Sequence, residues 1–253
     1  MHPATWARTD PERPAYVMAT SGEIVTYREL DARSNQGAHL FRALGLTAGD
    51  VVAVLTDNHP RYFEIVWAAQ RSGLYYTCIS SKLTAGEAAY IVADCGAKLI
   101  ITSSGVGPVV DELAGGLPPH VKLFMCGSAR LPYASWERAI AGFPTTPIAD
   151  ETSGSDMLYS SGTTGRPKGV KPPLSGRAVD EPDHLVPMAQ DLFRFGMGCV
   201  YLSPAPLYHA APLRWTMTVH RLGGTVIVME RFEAEQALAL IERYRCDCGQ
   251  FVP

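Results

Sequence analysis

Tyr159-Ser160-Ser161-Gly162-Thr163-Thr164-Gly165-Arg166-Pro167-Lys168-Gly169-Val170 is the stretch from which the fold is read. It follows the apolar run Met157-Leu158-Tyr159 and sets glycines and hydroxyl residues ahead of Lys168. Glycine lets a backbone bend sharply and approach a ligand, so that its N–H groups point at anionic oxygens. The hydroxyls add donors, and Lys168 adds a positive charge on a flexible stem. Together they form a device for holding a polyphosphate. It is not a Walker A loop, which needs Gly-Lys-Ser/Thr after its free positions. Here Pro167 precedes Lys168 and Gly169 follows it. Those neighbours place Lys168 on a mobile loop rather than on a first helical turn. A plain Gly/Ser/Thr linker has no reason to order its residues this way.

Upstream of this stretch, strands and helices alternate. Thr26 and Glu29 form a capping-box pattern, with Val25 and Leu30 spaced for a hydrophobic staple. The helix they open runs through Leu40 and Leu44 and stops near Gly45. Val51 to Leu55 reads as a strand, and Asn58-His59-Pro60 turns into a helix ending at Ser72-Gly73. Tyr75 to Ile79, Lys98 to Thr102 and Val121 to Met125 read as further strands. Thr84 with Glu87 caps the helix that ends at Gly96, and a short helix begins near Val106. Continuous apolar strands separated by helices indicate parallel pairing with both faces covered. The fold class is therefore α/β, with layered parallel sheets and flanking helices.

Residues 128–156 change character, with prolines and acidic residues, and read as a surface connection with one helical turn around Trp136. Pro172 to Gln190 reads as a polar surface excursion. Beyond it come strand Cys199 to Leu202, a helix around Leu213 to Leu222, strand Thr225 to Met229 and helix Glu233 to Tyr244. Gln250-Phe251-Val252 reads as a buried strand, after which Pro253 is the residue type that opens a helix.

Composition narrows the function classes. The chain has 253 residues, 47% of them hydrophobic, which suits a globular protein with a sizeable core. Its 22 basic and 25 acidic residues leave a net charge of −3, and no basic run argues for nucleic acid. No apolar stretch reaches the length of an integral membrane segment, and the first residues lack a signal-peptide apolar region. Among the six cysteines, Cys246 and Cys248 have neither redox nor zinc spacing. Cys78, Cys95, Cys126 and Cys199 read as buried small hydrophobes. This usage points to a reducing, cytoplasmic compartment.

The signature stretch resembles, position by position, that of the adenylate-forming superfamily of acyl-CoA synthetases, peptide-synthetase adenylation domains and luciferases. Its pattern is aromatic, Ser/Thr, Ser/Thr, Gly, Ser/Thr, Thr, Gly, any, Pro, Lys, Gly, aliphatic. A second segment, Pro206-Leu207-Tyr208-His209-Ala210-Ala211, is similar to the family motif beside the acyl pocket. The resemblance covers the whole chain but only the front part of the family's large N-terminal domain. Residues 1–253 are thus expected to be a partial ATP- and acyl-binding domain, with the C-terminal domain absent. Phe251 and Val252, at the expected cut face, would favour a homo-oligomer.

The resemblance implies ATP, Mg²⁺ and coenzyme A, with a carboxylic acid as the small-molecule partner. It places the nucleotide's phosphates against Ser160, Ser161, Gly162, Thr163, Thr164 and Gly165, with Lys168 on the leaving pyrophosphate. Lys168 and Thr164 are the implied catalytic residues. Thr164 is also the implied magnesium contact, with Thr163 the alternative. His209 and Tyr208 are implied to touch substrate. His39, His59, His184 and His220 have no motif support and read as structural. Leu213, Trp215 and Met217 share helical spacing that suits a core face before it suits an acyl tunnel. Some long-chain members carry a gating tryptophan where this chain has Leu213.

The leading reading is activation of a fatty or similarly hydrophobic acid, the isolated chain itself being inactive. An aryl or amino-acid adenylating enzyme and a non-catalytic phosphate-binding module are the alternatives.

Overall fold

The computed structural model describes residues 1–160 and 166–251. Its elements begin with α1 (Pro3–Thr9), β1 (Pro14–Met18), β2 (Ile24–Thr26), α2 (Tyr27–Ala43), β3 (Val51–Leu55), α3 (Tyr62–Arg71) and β4 (Tyr75–Cys78). Next come α4 (Ala85–Asp94), β5 (Ala97–Ser103), a 3-10 turn (Ser104–Val106), α5 (Val109–Gly116), β6 (Lys122–Cys126), β7 (Ala134–Ser135) and α6 (Trp136–Ile140). Then follow β8 (Ser155–Asp156), β9 (Leu158–Ser160), β10 (Lys168–Val170), α7 (Leu185–Phe193), β11 (Val200–Ser203), α8 (Ala210–Leu222), β12 (Thr225–Val228), α9 (Ala234–Tyr244) and β13 (Cys248–Gly249). The chain divides into two compact units, residues 33–178 and residues 1–32 with 179–253. Layered parallel sheets with flanking helices are what the alternation implied.

The unit of residues 33–178 is built on a parallel sheet of order β7-β6-β5-β3-β4-β8. Every residue of β3 is buried, as expected of a central strand covered on both faces. The capping box at α4 forms in full, with Thr84 N–H donating to Glu87 at 2.8 Å and Glu87 N–H to Thr84 at 3.3 Å. Gly37 lets α2 approach closely, since a Cβ there would stand 2.8 Å from that of Ala68.

Residues 128–156 do contain the helical turn at Trp136, yet they also supply core. Trp136 is fully buried, 5.9 Å from the Phe41 ring and 6.4 Å from Phe124, and Tyr133 and Ile140 are buried with it. An indole buried so completely needs an acceptor. Its Nε1–H donates to Glu64 Oε1 at 2.7 Å. Glu64 is itself wholly buried, with Arg61 3.3 Å and Arg33 4.0 Å from its other oxygen. Burial outweighs those cations and pushes its carboxyl up to about 7.

The other unit holds a sheet of order β13-β11-β12-β1-β2, parallel except for β2, which runs antiparallel to β1. The Thr26/Glu29 capping pair is present, with Thr26 N–H donating to Glu29 Oε2 at 2.9 Å. Tyr27 is buried and donates to the carbonyl oxygen of Gly224 at 2.7 Å. Two expectations shift here. α7 begins inside the stretch read as a surface excursion and buries Val186 and Ala189. The last pairing falls at Cys248–Gly249 rather than 250–252, leaving Phe251 half exposed; Val252 lies outside the described residues. No helix among the described residues is long and apolar enough to cross a membrane.

The buried Glu64 gives a pH test. Its folded pKa of about 7 exceeds its ordinary 4.5, so the folded state keeps a proton that the unfolded state has lost. Its contribution to stability therefore falls as pH rises from 4.5 to about 7 and stays low above that. The loss expected from this group is on the order of 3 kcal/mol. Glu64→Gln should flatten that part of the pH dependence in urea unfolding at pH 5 and pH 8. Identical slopes for the two proteins would contradict it.

Candidate functional site

The two ends of the signature stretch pair with each other as the arms of a hairpin. β9 and β10 pair antiparallel, with Ser160 opposite Lys168, Tyr159 opposite Gly169 and Leu158 opposite Val170. Lys168 is thus the first residue of a strand, not a loop residue as its flanking proline and glycine suggested. Ladder pairing with Ser160 overrides that local bias. Ser161, Gly162, Thr163, Thr164 and Gly165 lie outside the described residues.

The hairpin leaves the sheet at its carboxyl end. β8 pairs parallel with β4, Ser155 beside Tyr75 and Asp156 beside Tyr76, and Met157 N–H then donates to Tyr76 O at 3.0 Å. The chain runs on in the same direction as β9, which brings Ser160 and Lys168 to the strand ends where α/β sheets bind ligands. Gly154 makes this docking possible. Its N–H donates to Gln70 O at 2.6 Å, and a Cβ on it would lie 2.2 Å from the Leu74 carbonyl oxygen.

Side chains from α4 and β4 fix the hairpin's base. Tyr159 donates its hydroxyl to Asp94 Oδ2 at 2.5 Å. Desolvation and that carboxylate raise the phenol's pKa, so it remains a neutral donor. The Arg166 guanidinium stands 5.2 Å from the centre of the Tyr90 ring. Lys171 Nζ lies 4.6 Å over the Tyr75 ring, and the Tyr75 hydroxyl donates to Pro172 O at 2.6 Å. Gly169 is required by the same packing, since a Cβ there would stand 2.9 Å from Tyr159 Cζ. Asp94, Tyr90, Tyr75 and Gly154 were not singled out in the sequence. Each acts through a residue distant in the chain, and none carries a local signal.

Lys168 is exposed and has no ion-pair partner among the described residues. Its charge is free to meet an anion. No group of three or more His, Cys, Asp or Glu able to hold a metal ion occurs among the described residues.

Tyr208 and His209 lie in the other unit, where the chain leaves β11 and enters α8. His209 is the N-cap of α8 with extended backbone, and its side chain makes no capping hydrogen bond. The imidazole instead lies tilted at 55° against the Tyr208 ring, centroids 4.5 Å apart, and partial desolvation lowers its pKa. That direction favours the uncharged imidazole, suited to hydrogen bonding and contact. Leu213 and Met217 are buried, whereas Trp215 packs on Phe193 at 5.2 Å and Phe195 at 5.7 Å. His220 is structural, as expected: fully buried, 3.2 Å from Ala15 O, with its pKa pushed down to about 3. Cys78, Cys95 and Cys126 are buried as expected, but Cys199 is only half-buried and faces Cys248.

Residues 4–253 match the family described as AMP-binding enzyme. A fatty acid–acyl-carrier-protein ligase of Streptomyces coeruleorubidus is 32% identical over 244 residues, covering 93% of this chain and 44% of that protein. A 4-coumarate–CoA ligase of Humulus lupulus is 32% identical over 253 residues, covering 96% and 45%. A long-chain-fatty-acid–CoA ligase of Mycobacterium tuberculosis is 30% identical over 255 residues, covering 98% and 48%. The chain thus spans about half the length of these curated relatives. Among solved structures, the inhibitor-bound N-terminal domain of FACL13 from Mycobacterium tuberculosis superposes with a TM-score of 0.79 at 26% identity, covering 99% of this chain and 62% of that one. A luciferase from Phrixothrix hirtus shares the fold, with a TM-score of 0.78 at 18% identity over 96% of this chain and 48% of that one.

Gly154→Ala should displace β8 from β4 and loosen the hairpin base. Overpacking against backbone costs about 1–3 kcal/mol. A lower urea midpoint with unchanged m-value, and faster hydrogen exchange at the Met157 amide, are expected. An unchanged midpoint would show that the close approach is dispensable.

Proposed function

The chain belongs to the AMP-binding enzyme family, and from that premise we propose that it is the front part of the large N-terminal domain of an AMP-forming ligase. The reaction is activation of a hydrophobic carboxylic acid, a fatty acid first of all, to acyl-AMP and then to a thioester of coenzyme A. The observation that carries this reading is the pairing of β9 with β10, which sets an exposed Lys168, without an ion-pair partner among the described residues, opposite Ser160 at the carboxyl end of a parallel sheet.

A carboxylate oxygen attacks the α-phosphorus of ATP. An acyl O–P bond forms, the bond to the β-phosphate oxygen breaks, and pyrophosphate leaves. No general base is needed, because a carboxylic acid with pKa near 4 is already ionised at pH 7. The demand is to neutralise two like-charged reactants and the departing pyrophosphate, which is positioning and electrostatics. Ser160 to Gly165 would wrap the β- and γ-phosphates, and Lys168 would meet the charge that develops on the leaving group. Magnesium would rest mainly on phosphate oxygens, as this ion prefers, with the Thr164 hydroxyl beside it. The thiol of coenzyme A then attacks the acyl carbon and AMP departs.

His209 and Tyr208 would contact the acyl group or its adenylate. The neutral imidazole favours that role over proton transfer. A cytoplasmic location suits these water-soluble cosubstrates. A second reading has an aryl acid as substrate. It is favoured by the 4-coumarate–CoA ligase of Humulus lupulus at 32% identity and a feruloyl-CoA synthase of Amycolatopsis at 31%. ATP–pyrophosphate exchange with saturated acids of graded length, set beside hydroxycinnamic acids, separates the two.

In the full-length enzyme, Lys168→Ala should slow pyrophosphate exchange by about 10²-fold or more, as for loss of an electrostatic transition-state contact. Retention of the rate within about threefold would remove Lys168 from this role. The 253-residue chain alone should give no acyl-hydroxamate with ATP, acid and hydroxylamine. A clear hydroxamate signal would show that these residues suffice for adenylation.

A further inference from the structure

Two thiols that belong to no motif meet across the second sheet. Cys199 lies just before β11 and Cys248 opens β13, with their sulfurs 3.4 Å apart. The backbones around them are held together. Tyr201 pairs with Cys248, Asp247 N–H donates to Val200 O at 2.9 Å, and Val200 N–H donates to Asp247 Oδ2 at 2.8 Å. Closing to a disulfide needs about 1.3 Å of further sulfur approach. Cys246, the nearest other thiol, faces elsewhere. Its sulfur lies 3.7 Å from Leu240 O, and it packs with Leu202, Ile227 and Leu240.

Neither residue is sealed in the core. Cys199 and Cys248 are half-buried and line a cavity of about 400 Å³ with Arg194, Phe195, Met197 and Asp247. The two thiols differ in character. Either sulfur can donate the hydrogen bond between them; accepting it stabilises a thiolate, the direction in which Cys199 is shifted, and donating it holds the proton, the direction in which Cys248 is shifted. The fully buried Cys78 is pushed up to about 12 and Cys126 is raised as well, both by burial, so those thiols are inert.

We propose that Cys199 and Cys248 form a dithiol modification site, oxidised by a peroxide to an intramolecular disulfide and reopened by a thiol reductant. The Cys199 thiolate attacks a peroxide oxygen. An S–O bond forms, the O–O bond breaks and hydroxide leaves, taking a proton, which gives a sulfenic acid. The Cys248 sulfur then attacks that of Cys199. The S–S bond forms, the S–O bond breaks, and water leaves with the Cys248 proton. Two thiols are oxidised and one peroxide is reduced to two waters. The bond would tie β13, which has only two paired positions, to β11.

The test treats the whole chain with stoichiometric hydrogen peroxide, blocks residual thiols with N-ethylmaleimide and maps tryptic peptides by mass spectrometry. The expected product links peptide 195–214 to the peptide beginning at Cys246, lighter by two hydrogens and cleaved by dithiothreitol. It should persist in Cys246→Ser and vanish in Cys248→Ser. The oxidised wild type should melt about 5 °C or more above the reduced form. A link through Cys246, free alkylation of Cys199 and Cys248 after peroxide, or Cys199 carried to sulfinic acid without a link would each overturn the proposal. The wild-type map decides even if a variant fails to fold.

Discussion

The parallel pairing of Ser155 and Asp156 with Tyr75 and Tyr76 is the contact on which the candidate site depends. Two three-residue strands make no stable hairpin alone in water. β9 and β10 borrow their order from the edge of the large sheet and from α4. Gly154 admits the backbone against Leu74, and Met157 continues the ladder by one hydrogen bond. Tyr159 and Asp94 then lock the hairpin laterally. A phosphate-binding segment must leave its own amides and hydroxyls unspent for the ligand. The described anchoring contacts come from Met157, Tyr159, Arg166 and Lys171, on either side of residues 161–165 in the chain.

Charge is distributed by the same logic. Arg61 and Arg33 approach the buried Glu64, and Lys98 is paired with Asp50 at 2.8 Å. Lys168, by contrast, is exposed and unpaired among the described residues. A paired lysine at that position would have to give up its partner before meeting an anion, and part of the binding energy would go to breaking the pair. In the other unit His209 shows a related economy. It caps α8 with its backbone alone, so the imidazole stays available beside Tyr208.

What was legible in the chain follows from the range of each interaction. Both capping boxes are contacts between residues three apart, and both form as read. Central strands such as β3 announce themselves by unbroken apolar runs. β1 went unread, because it begins with proline and pairs with β12 far along the chain, Tyr16 beside Val226. Trp136 was placed on a surface connection because its neighbours are polar, although the indole reaches a carboxylate on α3. Cys199 was read as a buried hydrophobe for a similar reason, since its partner Cys248 is set only by strand register.

Legible along the chain were the α/β class, most of the helices and central strands, and the residue pattern at 159–170 from which phosphate binding is proposed. Those properties reside in neighbouring residues: periodicity, capping, and the crowding of glycine, hydroxyl and lysine. That Lys168 opens a strand opposite Ser160, that Tyr159 leans on Asp94 and that Cys199 faces Cys248 emerges only in the folded chain. Each of these joins parts of the chain brought together by burial of apolar surface and by strand register. Such pairings leave no local trace in the order of residues.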